Sequence, residues 1–161
     1  ALLMIDSIRK DGKILWCGNG GSAADAQHLA TELMGGMTSH ERRPIPSIAL
    51  TTDSSFLTAW SNDTDFESIF SRQIQGLGKT GDVLIGISTS GNSENVLAAV
   101  KQAKFRELST IVFTGRSGGK INGISDVTIN IPSEDTQRIQ EAHIMVGQIL
   151  CGLIEDDLLD E

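Results

Sequence analysis

Residues Val83–Lys104 read VLIGISTSGNSENVLAAVKQAK. The run Val83–Ser88 is almost wholly apolar, the residues from Asn92 to Lys104 carry apolar side chains at helical spacing, and a loop rich in hydroxyls separates them. A short apolar run bounded by turn residues reads as a strand buried on both faces, the habit of strands in parallel sheets. Four further runs share that character: Lys13–Cys17, Ser47–Thr51, Thr110–Thr114 and Val127–Ile131. Helical patterns over Ser22–Met34, Phe66–Leu77, Asn92–Lys104 and Thr136–Leu159 alternate with them, and the opening residues ALLMIDSIRK read as the end of a helix. Such alternation implies right-handed βαβ units, hence an α/β fold with helices on both faces of a five-stranded parallel sheet. With 161 residues and 39% hydrophobic content, the chain suits one domain over residues 1–161.

Glycine-rich turns fall where three strands end, at GNGGS (Gly18–Ser22), STSGNS (Ser88–Ser93) and TGRSGG (Thr114–Gly119). Ligands of open α/β sheets bind at the carboxyl ends of the strands, so these loops should line one site. Gly18, Gly20 and Ala23 satisfy the dinucleotide fingerprint G-x-G-x-x-A in form. That fingerprint also needs an acid about twenty positions on, closing the next strand. Here the second strand ends near Thr51 and the next acid, Asp53, lies well beyond that distance. No G-K-[ST] follows either, so no nucleotide cofactor is expected. STSGNS offers three serine hydroxyls, a threonine and helix N-terminal amides to one small anion, as a sugar phosphate requires. Asn92 or Ser93 serves as a helix cap in any case, but capping alone does not call for so many hydroxyls.

His28 and Glu32 stand four residues apart on one helical face. The pair could bind a divalent metal, act as acid and base, or form a solvated ion pair. Gln140, His143 and Gln148 interrupt the apolar pattern of the last helix, and polar groups there need partners in a cavity or an interface. A core or interface role is the default for His143. Cys17 and Cys151 lie in apolar contexts without a CxxC pair and read as core thiols. HERRPIP (His40–Pro46) reads as a polar connection between helix and strand. The net charge of −8, with 21 acidic against 13 basic residues, argues against a broad nucleic-acid surface. No run of roughly eighteen apolar residues could span a bilayer, and the opening lacks the order of a secretory signal. A cytoplasmic protein without membrane or nucleic-acid partners is the expectation.

The segments CGNGGSAADAQHLATEL (Cys17–Leu33), IALTTDSSFLTAWSND (Ile48–Asp63), FSRQIQGLGKTGDVLIGISTSGNSENVLAA (Phe70–Ala99), FTGRSGGK (Phe113–Lys120) and RIQEAHI (Arg138–Ile144) resemble, in order and spacing, the sugar isomerase (SIS) domain of the bacterial phosphoheptose isomerases. The resemblance spans almost the whole chain; the helical segment that such proteins carry before KILWCGNGGS is missing from it. It implies a three-layer α/β/α sandwich and a homotetramer with sites built between subunits. It further implies an aldose–ketose isomerisation of sedoheptulose 7-phosphate to D-glycero-D-manno-heptose 7-phosphate, the entry to heptose for lipopolysaccharide and other surface glycans. By position, Ser88, Thr89, Ser90 and Ser93 would hold the phosphate, and Asn19, Ser22 and Asp63 would contact the sugar with Gln140 close by. Glu32 would be the general base. Some members hold zinc through the equivalents of His28, Glu32, Gln140 and a histidine two turns further along the last helix.

At that last position, the partner acid and fourth ligand, this sequence has Gln148. Glutamine transfers no proton at neutral pH and is a poor zinc ligand. An arginine that the family carries after the first helix is also absent, with Gly36 near its place. The competing readings are a non-catalytic SIS protein that binds a sugar phosphate or a protein such as a replication initiator, and a sugar-phosphate sensor. Glu32 speaks for the enzyme, because a scaffold needs no carboxylate facing the pocket; Gln148 speaks the other way.

Overall fold

The computed structural model describes residues 1–159. Five strands, β1 (Ile14–Gly18), β2 (Ser47–Ala49), β3 (Val83–Ile87), β4 (Ser109–Thr114) and β5 (Val127–Asn130), form one sheet in the order β2-β1-β3-β4-β5. Every pairing is parallel. The central strands are apolar on both faces because both are covered. On one side, α1 (Leu2–Arg9), α2 (Gly21–Gly35) and α6 (Thr136–Leu159) bring Met4, Ile8, Leu29, Leu33 and Ile154 against Trp16, Ile85 and Phe113. On the other, α4 (Ile69–Leu77) and α5 (Glu94–Phe105) bring Phe70, Ile74, Val96 and Val100 against Leu15, Leu84 and Val112. Neighbouring strand residues such as Leu15 and Trp16 thus enter opposite layers, as the pleat requires. This is the three-layer α/β/α sandwich expected from the sequence.

The strands and the helices α2, α5 and α6 begin and end within about two residues of their expected bounds, and α4 starts three residues later than its pattern. One helix was not expected: α3 (Ser54–Asp63), capped by Asp53, whose side chain accepts from the amide of Phe56 at 2.9 Å. It has no buried residue and so writes no apolar stripe into the sequence. The edge strand β5 is also less covered than its apolar run suggests, with Val127 40% exposed.

Strand order reverses between β1 and β3. In open parallel sheets the loops diverge at that point and leave a crevice beyond the strand ends. The loop after β1 and the hydroxyl-rich loop after β3 flank it.

Candidate active site

β1 and β3 run in register, with Gly18 opposite Ile87, so the two loops leave the sheet side by side. A Cβ on Gly18 would stand 2.8 Å from the carbonyl oxygen of Ser22, and only glycine lets the first turn of α2 fold back this closely. Ser22 is buried there. Asn19 exchanges two 2.8 Å amide hydrogen bonds with Asn95, a buried residue of α5 whose Oδ1 also accepts from the Val96 amide at 2.9 Å. This amide pair ties the first loop to the second. Sequence reasoning did not single out Asn95; its only signal was a second asparagine just inside the helix after STSGNS.

Two hydroxyls of STSGNS meet directly. Ser88 is buried, its Oγ lies 2.9 Å from that of Ser93, and the Ser90 Oγ accepts from the Asn92 amide at 3.1 Å. The third loop locks onto this one: the Gly115 amide donates to the Thr89 carbonyl at 2.8 Å, Ile121 to the Gly91 carbonyl at 3.1 Å, and Lys120 to the Asn92 side chain at 3.0 Å. Gly91 sits at φ +65°, and a Cβ there would collide with the Gly118 carbonyl. A cleft of about 260 Å³ opens beside the loop, lined by Thr89, Ser90, Asn92, Arg116, Ser133 and Thr136 among others.

Helices α2 and α6 form a second wall, running side by side in one direction away from the loops. His28 Nε2 lies 3.1 Å from Glu32 Oε1 and 2.7 Å from the side-chain nitrogen of Gln148. Two protonation patterns can be written for this trio. In one Nε2–H donates to Glu32 and Gln148 turns its oxygen inward; in the other a bare Nε2 accepts from the Gln148 amide, and only the first also gives the Glu32 carboxylate a donor. Gln140 stands over the start of α2, where a Cβ on Gly21 would come 2.5 Å from its Nε2. Gln140 and Gln148 of α6 thus both face α2. Asp25, one turn before His28, has a buried Oδ2 without a protein partner; burial raises its carboxyl above the ordinary value, against the pull of the His28 charge. Sequence reasoning passed over it as well.

His143 turns away from this wall. It is fully buried against Phe113, with Nε2–H donating to the Thr114 carbonyl at 3.1 Å. Burial lowers its pKa, although the Thr114 bond opposes the shift. It is a core histidine and does not stand in for the missing one at position 148. Asp63 lies exposed at the end of α3, its carboxylate accepting from Asn62 at 2.7 Å. Cys17 and Cys151 are the buried thiols expected, both pushed up to about 12 by burial.

HERRPIP is more than a polar connection. The Arg42 side chain is only 4% exposed and its Nε lies 2.6 Å from Glu155, a carboxylate 1% exposed on α6. The expectation missed this because the partner lies more than a hundred residues away, inside an apolar helical pattern. Burial alone would raise the Glu155 carboxyl; hydrogen bonds from Thr38, Met37 and Arg42 outweigh it and hold the group well below the ordinary range.

The SIS domain family profile matches residues 1–115, the part that carries α2, the loops after β1 and β3 and the start of the loop after β4. Phosphoheptose isomerases from Nitratiruptor and Aquifex aeolicus are 54% and 56% identical to the chain, over 97% and 95% of it and 83% and 80% of their own lengths. The solved phosphoheptose isomerase of Neisseria gonorrhoeae superposes with a TM-score of 0.90 at 50% identity, and that of Francisella tularensis with 0.93 at 39%. Each of these alignments covers 96% of this chain and 82% of the other. The chain belongs to the phosphoheptose isomerases of the SIS domain family. That membership makes it a sugar-phosphate aldose–ketose isomerase and favours the enzyme over the partner-binding alternative.

Proposed function

We propose that the protein interconverts sedoheptulose 7-phosphate and D-glycero-D-manno-heptose 7-phosphate in the cytoplasm, as a homotetramer, with Glu32 as the base. The observation that carries this reading is the Glu32 carboxylate, 20% exposed and held by His28 on the α2–α6 face; about 16 Å of helix separates it from the start of α2 beside the hydroxyls of Ser88, Thr89, Ser90 and Ser93, so the site is completed between subunits. The hydroxyl loop takes the phosphate, which fixes the far end of the substrate. Asn19, Ser22 and Gln140 hold the sugar, and Asp63 contributes from the end of α3. Glu32 removes the proton from C1 of the ketose to give the C1–C2 enediolate, the hydroxyl proton passes from O1 to O2, and the same carboxyl returns its proton to C2, leaving the carbonyl at C1 of the aldose. Gln148 donates a hydrogen bond to the sugar oxygen on which charge develops; it polarises that oxygen but hands over no proton. The stripe Met145, Ile149 and Leu153, 58%, 54% and 49% exposed at helical spacing, supports burial of α6 between subunits.

The residues here do not fit the zinc site seen in some relatives. Of the four positions, His28 and Glu32 are ordinary zinc ligands, while Gln140 and Gln148 present carboxamides. Among the described residues no three His, Cys, Asp or Glu side chains gather to hold a metal, and no step of the reaction is assigned to one.

The test is incubation with sedoheptulose 7-phosphate, with and without zinc, of the parent protein, Glu32→Gln and Gln148→His. The parent is expected to form the aldose, Glu32→Gln to lose on the order of 10²–10⁴-fold, and Gln148→His to turn over faster and to retain zinc on elemental analysis. Absence of product from both the parent and Gln148→His, with substrate still bound, would overturn the reading.

A further inference from the structure

The carboxylate of Glu155 is the most heavily hydrogen-bonded side chain in the structure's interior. It accepts from the backbone amides of Met37, Thr38 and Ser39 at 2.8, 2.6 and 3.1 Å, from the Thr38 hydroxyl, and from Arg42 Nε at 2.6 Å. The same guanidinium donates through Nη2 to the backbone carbonyl of Glu32 at 2.9 Å, and through Nη1 to that of Arg43 at 2.9 Å. One arginine therefore links a residue of α6 to the main chain of the residue placed as the base. Glu155 follows Gln148 by seven residues, two helical turns along nearly the same face.

Between these points the helices meet without a gap. A Cβ on Gly147 would collide with the Leu29 side chain, and the Cys151 thiol reaches the Leu29 carbonyl at 3.8 Å. The contact at Gly147 sets how close α2 and α6 come, but apolar packing alone allows sliding along the helix axes. Directional bonds to a buried carboxylate remove that freedom. Sliding matters because His28 and Glu32 ride on α2 while Gln140 and Gln148 ride on α6.

We propose that Glu155 and Arg42 are positioning residues of the isomerase site, an ion pair that fixes the axial register of α2 against α6 and so the placement of Glu32 relative to Gln148. The proposal rests on the isomerase reading for its kinetic consequence and on geometry alone for its structural one. Neither side chain contacts substrate. Small displacements of a catalytic group are costly, with about 1 Å worth up to roughly 10²-fold in rate.

The experiment compares Glu155→Gln, Arg42→Lys and the milder Thr38→Val with a control, Asp82→Asn. Asp82 is also a buried carboxylate paired with a cation, Lys13, but its side chain is bonded in the turns before β1 and β3, to Lys13 and Lys79, rather than to α2 or α6. Two readouts are taken at a temperature where circular dichroism shows each variant folded: kcat and KM for sedoheptulose 7-phosphate, and the NMR signals of the His28 imidazole. Glu155→Gln and Arg42→Lys are expected to lower kcat on the order of tenfold to a hundredfold with KM little changed, and to shift the His28 signals. The double variant should be no worse than either single one, since both break one linkage. Thr38→Val should move both readouts in the same direction by less, and it decides the matter if the stronger variants do not fold. Asp82→Asn should lose stability and move neither. Unchanged His28 signals in the folded clamp variants, or equal losses in Asp82→Asn, overturn the proposal. If neither the parent nor Gln148→His turns over, the isomerase reading falls, and the His28 signals alone decide for or against the clamp.

Discussion

Ser90 shows how much of the proposed site rests on single hydroxyls. Its Oγ already accepts from the Asn92 amide, so its proton is free to be donated to an anion, whereas Ser88 and Ser93 first satisfy each other. A hydrogen bond to a charged acceptor contributes about 1.5–3 kcal/mol. Ser90→Ala is therefore expected to weaken sedoheptulose 7-phosphate by roughly ten- to a hundredfold, measured by isothermal titration calorimetry with the fold unchanged. An unaltered Kd would remove Ser90 from the phosphate site. At this scale the sequence was legible wherever a residue's chemistry matched its local pattern: His28 beside Glu32, the hydroxyls clustered in one loop, the thiols in apolar runs. It was illegible where a role depends on a partner remote in the chain. Asn19 could be read alone, but its partner Asn95 could not, and Arg42 looked like solvent-facing charge until Glu155 came to meet it.

The elements that build the site are fixed by close approach at glycines more than by propensity. Gly91 is the clearest case, because two loops pass each other at its Cα with no room for a side chain and with φ in the left-handed region. Gly91→Ala should cost about 1–3 kcal/mol through backbone strain and displacement of the Gly118 strand of the loop. For a chain of this size that corresponds to a fall in Tm of about 2–12 °C. Because Gly91 itself lies in the loop that carries the hydroxyls, affinity for the sugar phosphate should fall in the same variant. Scanning calorimetry and titration check the two consequences separately, and a variant with parental Tm would show that the loops do not depend on this contact. The same logic explains what could be read of the elements beforehand. Strands β1, β3 and β4, buried on both faces, announce themselves as apolar runs, and α5 and α6 by their stripes. Helix α3 has no fully buried residue, only Leu57 and Trp60 half-buried against the core, and is specified by its Asp53 cap and by its neighbours, Phe56 stacked at 5.9 Å on Trp60 and Arg72 lying 4.9 Å over the Trp60 ring.

For the molecule as a whole, the same buried polar groups that align the site make the fold sensitive to acid. Glu155 has a folded-state pKa held below its ordinary 4.5. Its contribution to stability is complete above that value and is lost as pH falls toward the folded-state pKa, because the unfolded chain takes up the proton first. His143 acts in the same direction over an earlier window. Burial keeps it neutral in the fold, so below its ordinary 6.5 the unfolded chain binds a proton that the folded one resists. Stability should therefore decline from about pH 6.5 downward and more steeply below about pH 4.5. Guanidinium unfolding midpoints measured between pH 7 and pH 3 follow this directly. Glu155→Gln starts from a lower midpoint at neutral pH, because the Arg42 charge is left buried without its partner, which costs about 3–5 kcal/mol. Its midpoint should nevertheless change less below pH 4.5 than that of the parent, since the titrating group is gone. Parallel curves for the two proteins through that range would show that the carboxylate is not the group whose protonation opens the α2–α6 wall.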